Sequence, residues 1–101
     1  MNRHDSPPTE KETWFLGVLS HKLEVPTAQI AIAAGVSKRT VLNWRRKAED
    51  QGIPTGIYDG PNNGWIFPPD HLVELLKFVV ANTKPYTYRW MKLVINKHGN
   101  P

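Results

Sequence analysis

The chain has 101 residues, 40% of them hydrophobic, a net charge of +4 and no cysteine. That length and apolar content suit one compact domain with a modest core, and the lack of thiols excludes a disulfide framework or a thiolate zinc site. The apolar runs fall well short of the roughly 20 residues that span a bilayer, and "MNRHDSPPTEKE" offers no signal peptide, so a soluble cytoplasmic protein is expected.

Residues 1–8, polar and carrying Pro7-Pro8, read as a flexible arm. Thr9 and Glu12 stand at capping-box spacing. A first helix follows, in which Trp14, Phe15, Val18, Leu19 and Leu23 share one face and are expected in the core. Pro26 ends that segment. Thr27 caps a short helix with Ile30, Ala31 and Ala34 inward, and Gly35 supplies the left-handed conformation of a tight exit. Ser37 caps the next helix, which buries Val41, Trp44 and Ala48 while Val36 fills the corner. A small residue at the crossing, a glycine turn and apolar residues at fixed offsets are what a helix-turn-helix requires.

After Gln51-Gly52, the β-prone runs "GIYD" and "WIF" flank "GPNNG", and Asn63-Gly64 predicts a tight hairpin turn. "PPDHLVELLKFVVAN" predicts a helix entered through proline and Asp70, burying Leu72, Leu75, Leu76 and Val79 and closed by Asn82 and Pro85. In the tail, Tyr86, Tyr88 and Trp90 alternate as a strand would. Met91, Leu93, Val94 and Ile95 break that alternation and Gly99 terminates, so a helix is expected over 86–97. The expected fold is mainly α with a small β-hairpin: an arm at 1–8, a domain at 9–83, and a C-terminal helix within 84–101.

Charge is segregated along this frame. Residues 38–47 carry Lys38, Arg39, Arg45, Arg46 and Lys47, and residues 84–98 carry Lys84, Arg89, Lys92 and Lys97, with no acid in either stretch; all nine acids lie elsewhere. That distribution is the electrostatic footprint of a nucleic-acid binder.

The stretches "GVSKRTVLNW" and "GWIFPPDHL", in the order helix, turn, helix, hairpin, helix, resemble the winged helix-turn-helix domains of MerR-type regulators and of phage or plasmid excisionases over roughly residues 27–80. The resemblance implies that the second helix enters the major groove and that the hairpin, or wing, contacts backbone or minor groove. The hairpin here offers Asp59, Pro61, Asn62 and Asn63 and no cation, so Asn62 and Asn63 are the expected wing contacts, through amide hydrogen bonds.

At 100° per residue, the face opposite Val41, Trp44 and Ala48 carries Arg39, Asn43 and Arg46, with Leu42 at its edge. Arginine pairs with guanine, asparagine with adenine and leucine with a thymine methyl, which makes these four the expected base readers. Thr27, Ser37, Lys38 and Lys47 are assigned to phosphate. Arg45, nearer the buried side, reaches round to the phosphate backbone or pairs with an acid. The tail helix is apolar over more than half its circumference, which points to a homodimer formed through Tyr86, Trp90, Leu93 and Val94.

The expected function is therefore sequence-specific binding of double-stranded DNA, as a small transcriptional regulator or as an excisionase-like architectural factor of a mobile element. Two other readings use the same residues: a winged-helix protein-interaction module in a replication or segregation complex, and single-strand binding by Tyr86, Tyr88 and Trp90 beside Arg89 and Lys92. The histidines at 4, 21, 71 and 98 lack ligand spacing, and the chain has neither a glycine-rich phosphate loop nor a nucleophile with its base. No metal, cofactor or enzymatic activity is expected.

Overall fold

The computed structural model describes residues 10–53, 55–84 and 87–99, with residues 98 and 99 described by backbone alone. The elements run α1 (Glu10–Ser20), β1 (Val25–Pro26), α2 (Thr27–Ala34), α3 (Lys38–Asp50), β2 (Ile57–Tyr58), α4 (Gly60–Asn63), β3 (Trp65–Phe67), α5 (Pro69–Ala81) and α6 (Arg89–Gly99). The fold is mostly helical, with one small antiparallel sheet in the order β1-β3-β2. Among the described residues, no helix is long and apolar enough to cross a membrane. The expected arm at 1–8 and the capping residue Thr9 lie outside the described residues.

Helix α1 buries Phe15, Val18 and Leu19, but two residues expected in the core are exposed: Trp14 at 44% and Leu23 at 53%. Each has a local cause. Trp14 sits one position round the helix from Phe15 and meets it edge-on, with ring centroids 4.8 Å apart. Leu23 follows Lys22, whose positive φ of 54° turns the chain away from the helix while the Leu23 amide caps the Val18 carbonyl.

Strand β1 was not anticipated from the sequence, which shows only two residues ending in proline. Val25 pairs with Phe67 and Pro26 with Ile66. A proline is tolerated there because β1 is an edge strand and needs no second row of donors.

The α2–α3 connection forms as its residues dictate. Gly35 is left-handed at φ 70°, the Gly35 and Val36 amides donate to the Ile32 and Ala31 carbonyls, and Ser37 Oγ accepts from the Thr40 amide at 3.2 Å. Glycine ends one helix and serine begins the next within three residues. Val41 and Ala48 are fully buried, whereas Trp44 is half-buried and Arg45 takes the third inward place.

The hairpin forms with Ile57 opposite Ile66 and Tyr58 opposite Trp65. Its connection differs from the tight Asn63-Gly64 turn expected: α4 supplies a single helical turn, opened by Gly60 and followed by Gly64, both at positive φ, and closed by Asp59 N–H to Gly64 O at 2.7 Å. With Pro61 holding its φ in the helical range, a turn of helix is the easier path across "GPNN".

The loop into β2 is pinned from two sides. Thr55 donates its hydroxyl to the Arg45 carbonyl, and the Gly56 amide donates to His71 Nδ1 at 2.9 Å. His71 thus tethers the hairpin to the start of α5. Gly56 has φ +88°, and a Cβ there would lie 3.1 Å from the Phe67 ring.

Helices α5 and α6 complete the core with Leu72, Leu75, Leu76, Val79, Met91 and Val94. The tail helix lies against both α1 and α5 of its own chain. Val94, expected in a dimer interface, is 0% exposed inside the monomer. Met91 is buried with it, Trp90 and Leu93 stay partly exposed, and Tyr86 lies outside the described residues.

Replacing Gly56 by alanine is expected to cost about 1–3 kcal/mol of stability, from strained backbone and the Phe67 contact. Gly17→Ala, in the middle of α1 with open space at its Cβ, is expected to gain up to about 1 kcal/mol. Urea denaturation of the two variants checks both signs.

Candidate nucleic-acid interface

On α3, Val41, Arg45 and Ala48 point inward, which leaves Arg39, Asn43, Arg46 and Asp50 on the outward face, all exposed. Lys38 and Lys47 are exposed on either side, and Leu42 is half-buried at the edge. Arg39 and Arg46 form no ion pair among the described residues. Their charge is available to a partner in solution.

Both flanks of the helix are fixed. On one side the Arg45 guanidinium lies 3.6 Å over the Trp65 indole of β3 and donates to Glu49 Oε2 at 2.7 Å. On the other, Trp44 meets Tyr88 edge-to-face, with centroids 5.6 Å apart. Beside that contact Trp44, Lys47, Phe78, Asn82 and Thr83 line a cleft of about 400 Å³ between the C-terminal ends of α3 and α5. A helix braced on both edges presents its outward residues in a fixed register, so less ordering cost falls on binding.

Two residues assigned to phosphate do not belong to the exposed face. Thr27 is buried, and its hydroxyl donates to the Trp65 carbonyl at 2.7 Å. It therefore ties α2 to the hairpin. Arg45 is buried and paired with Glu49, the acid four residues on; its Nε has no hydrogen-bond partner among the described residues, and the face of Trp65 compensates through the ring quadrupole. Ser37 is exposed, with its hydroxyl shared with that of Thr40.

On the hairpin, Asn62 is exposed, while Asn63 is also exposed but spends its amide on Asp59 Oδ2 at 2.9 Å. Tyr58, 56% exposed and edge-on to Trp65, is a prominent surface group of the hairpin that the sequence reading passed over. In the tail, Trp90 packs on Phe15 with centroids 4.9 Å apart and carries Lys11 over its ring, Leu93 is partly buried, and Arg89 and Lys92 are exposed.

The acid that Arg45 pairs with is Glu49, at the i,i+4 spacing of an intrahelical pair. One feature of the site was missed in the sequence although its signal was present. Asp50 falls seven residues after Asn43 and so on the same face, where a carboxylate closes off the C-terminal end of the cationic strip. Among the described residues there is no cluster of histidine and acidic groups able to hold a metal ion.

Comparison with protein-family models, with curated protein sequences and with solved structures gives no significant match for this chain.

The Arg45 arrangement makes an asymmetric prediction. Arg45→Ala removes a buried stem and the indole contact and is expected to cost about 1–3 kcal/mol. Glu49→Gln, at a carboxylate that remains largely in water, is expected to cost less than about 1 kcal/mol. Urea denaturation of the two variants is the check, and equal losses would place the energy in the ion pair instead of the stack.

Proposed function

We propose that this chain is a sequence-specific binder of duplex DNA, built as a winged helix-turn-helix with α2 and α3 as the helix pair and β2–β3 as the wing. The observation that carries the reading is the outward face of α3. Arg39, Asn43 and Arg46 stand on it exposed and, among the described residues, without acidic partners, on a helix held at both edges.

Those side chains match the hydrogen-bonding edges of the major groove: guanidinium to guanine O6 and N7, amide to adenine N6 and N7. Leu42, half-buried at the border, suits a thymine methyl. Ser37, Lys38 and Lys47 flank the strip at the positions where phosphates would run. Asp50 repels phosphate, so the footprint lies on the first three turns of the helix. The wing contributes through Asn62 and Tyr58, since Asn63 and Asp59 satisfy each other. Occupancy or bending of a site, in transcription control or as an excisionase-like factor, is the mechanism; no bond is made or broken.

The single-strand alternative draws less support, because the Tyr88 and Trp90 rings it would use already pack against Trp44 and Phe15.

Selection of bound sites from a random duplex pool tests the proposal directly, and failure to enrich any motif counts against it. On the best site, Arg39→Ala and Asn43→Ala are each expected to cost about 1–3 kcal/mol and to relax preference at one base position. Lys47→Ala weakens all sequences alike and lowers the log-log salt slope by roughly 0.9. Unchanged affinity of Arg39→Ala on every duplex would remove α3 as the reading element.

Two further substitutions probe the limits of the footprint. Asp50→Asn, by removing a phosphate-repelling charge, is expected to tighten binding to all duplexes without changing the motif. Replacing Asn62 and Asn63 by glycine is expected to weaken binding less than Arg46→Ala does. Titrations against the selected site and a scrambled duplex measure both.

A further inference from the structure

Helix α3 is flanked by two surfaces of different charge. On one side the hairpin of β2, α4 and β3 carries Asp59 and no lysine or arginine. On the other lies the basic connection between α5 and α6, brought to α3 by two separate contacts. Lys47 lines a cleft with Asn82 and Thr83, and Lys84 follows directly, its carbonyl accepting the Thr87 amide at 3.2 Å. The Trp44 ring meets Tyr88, the residue before Arg89, edge-on with centroids 5.6 Å apart.

Helical geometry places the charges just outside that ring contact. On α3, Lys47 lies three residues after Trp44 and about 60° round toward the outward face. On α6, the fully buried Met91 and Val94 set the inward direction, so Lys92, about 40° beyond Tyr88, and Arg89, about 100° beyond it, turn to solvent. Lys84, Arg89 and Lys92 are all exposed and form no ion pair among the described residues. Residues 84–98 contain no acid, and of the described residues lining the cleft Asp50 alone is acidic. Cations gathered round Lys47 without counter-charges repel one another, and a polyanion relieves that repulsion.

Resting on the reading of α3 as the helix that enters the major groove, we infer that Arg89 and Lys92, with Lys84 beside them, hold the DNA backbone along the flank opposite the hairpin. The major groove is about 12 Å wide and bounded by a phosphate strand on either side. The strand on the hairpin side meets Asn62 and Asp59, whereas the strand on the tail side meets Lys47, Lys92 and Arg89. These side chains lie beside the groove instead of in it, so they position the duplex and read no base. The tail supplies the cations that the hairpin lacks.

The test is the salt dependence of binding by the full chain, on a duplex selected from a random pool and on a scrambled one, between roughly 50 and 200 mM salt. Wild type is compared with Arg89→Gln/Lys92→Gln and with Lys22→Gln/Lys97→Gln. The second pair removes the same charge elsewhere: Lys22 is in the turn after α1, and Lys97 lies about 140° round α6 from Lys92. All four positions are exposed, and circular dichroism verifies that each variant folds.

Loss of two backbone contacts is expected to lower the log-log slope by roughly 1.8, so that the advantage of wild type over Arg89→Gln/Lys92→Gln shrinks about 12-fold across that range, equally on both duplexes. The control pair is expected to keep the wild-type slope. Arg89→Lys/Lys92→Arg, which exchanges the cations and keeps both charges, is expected to keep it too, a result that a merely structural role of the two side chains would not give.

A slope that Arg89→Gln/Lys92→Gln leaves unchanged, or that the control pair lowers as much, overturns this inference, while a motif that depends on Arg39 and Asn43 leaves the reading of α3 intact. An altered base preference in Arg89→Gln/Lys92→Gln overturns it as well, since the tail would then be a reader. A slope lowered on every duplex with no motif enriched retains the backbone flank and discards sequence-specific recognition. A wild type that binds no duplex, or that binds single strands in preference, removes both.

Discussion

The strand Trp65–Phe67 holds the molecule together because both of its edges and both of its ends are engaged. It pairs with Val25–Pro26 on one side and Ile57–Tyr58 on the other. Its first residue accepts the Thr27 hydroxyl at the carbonyl and carries the Arg45 guanidinium on the indole, and its last, Phe67, is completely buried. Three residues therefore position α2, α3 and the hairpin against one another. A hairpin of this size is marginal in water by itself, and it persists here because a third strand and the helices cover it.

The same arrangement explains why a strongly basic residue is buried in the middle of a helix that is otherwise the most cationic part of the chain. Arg45 is weakly hydrated for a cation, can lie flat on an aromatic face, and finds a carboxylate one helical turn away. It is structural, and it divides the basic cluster in two. One arginine faces the hairpin, while Arg39 and Arg46 face water. The positive strip proposed to meet DNA is thus narrower than the count of charges implies, and Asp50 shortens it further.

The C-terminal helix shows how small size shapes the use of apolar surface. In a chain of 101 residues, a modest core needs every helix it can recruit. The tail supplies Met91 and Val94 to the space between α1 and α5, and it sets Tyr88 against Trp44. What remains outside is a groove where α1, α2 and α6 meet, displaced from the tail's own midline.

The sequence by itself determined the five longer helices, the glycine-and-serine connection between α2 and α3, the presence of the hairpin, and the outward set Arg39, Asn43 and Arg46. Each follows from spacing along one element, where 100° per residue and a few capping rules suffice. Tertiary structure alone decided the rest, because it depends on which element lies alongside which. Two residues ending in Pro26 became a strand only because Trp65–Phe67 offered an edge. Thr27 was taken from solvent by the Trp65 carbonyl, Arg45 by the Trp65 ring, and Val94 by α1 and α5 together. Trp14 and Ile32 carry as much hydrophobic character as their buried neighbours, and nothing in their local sequence states that they stay exposed.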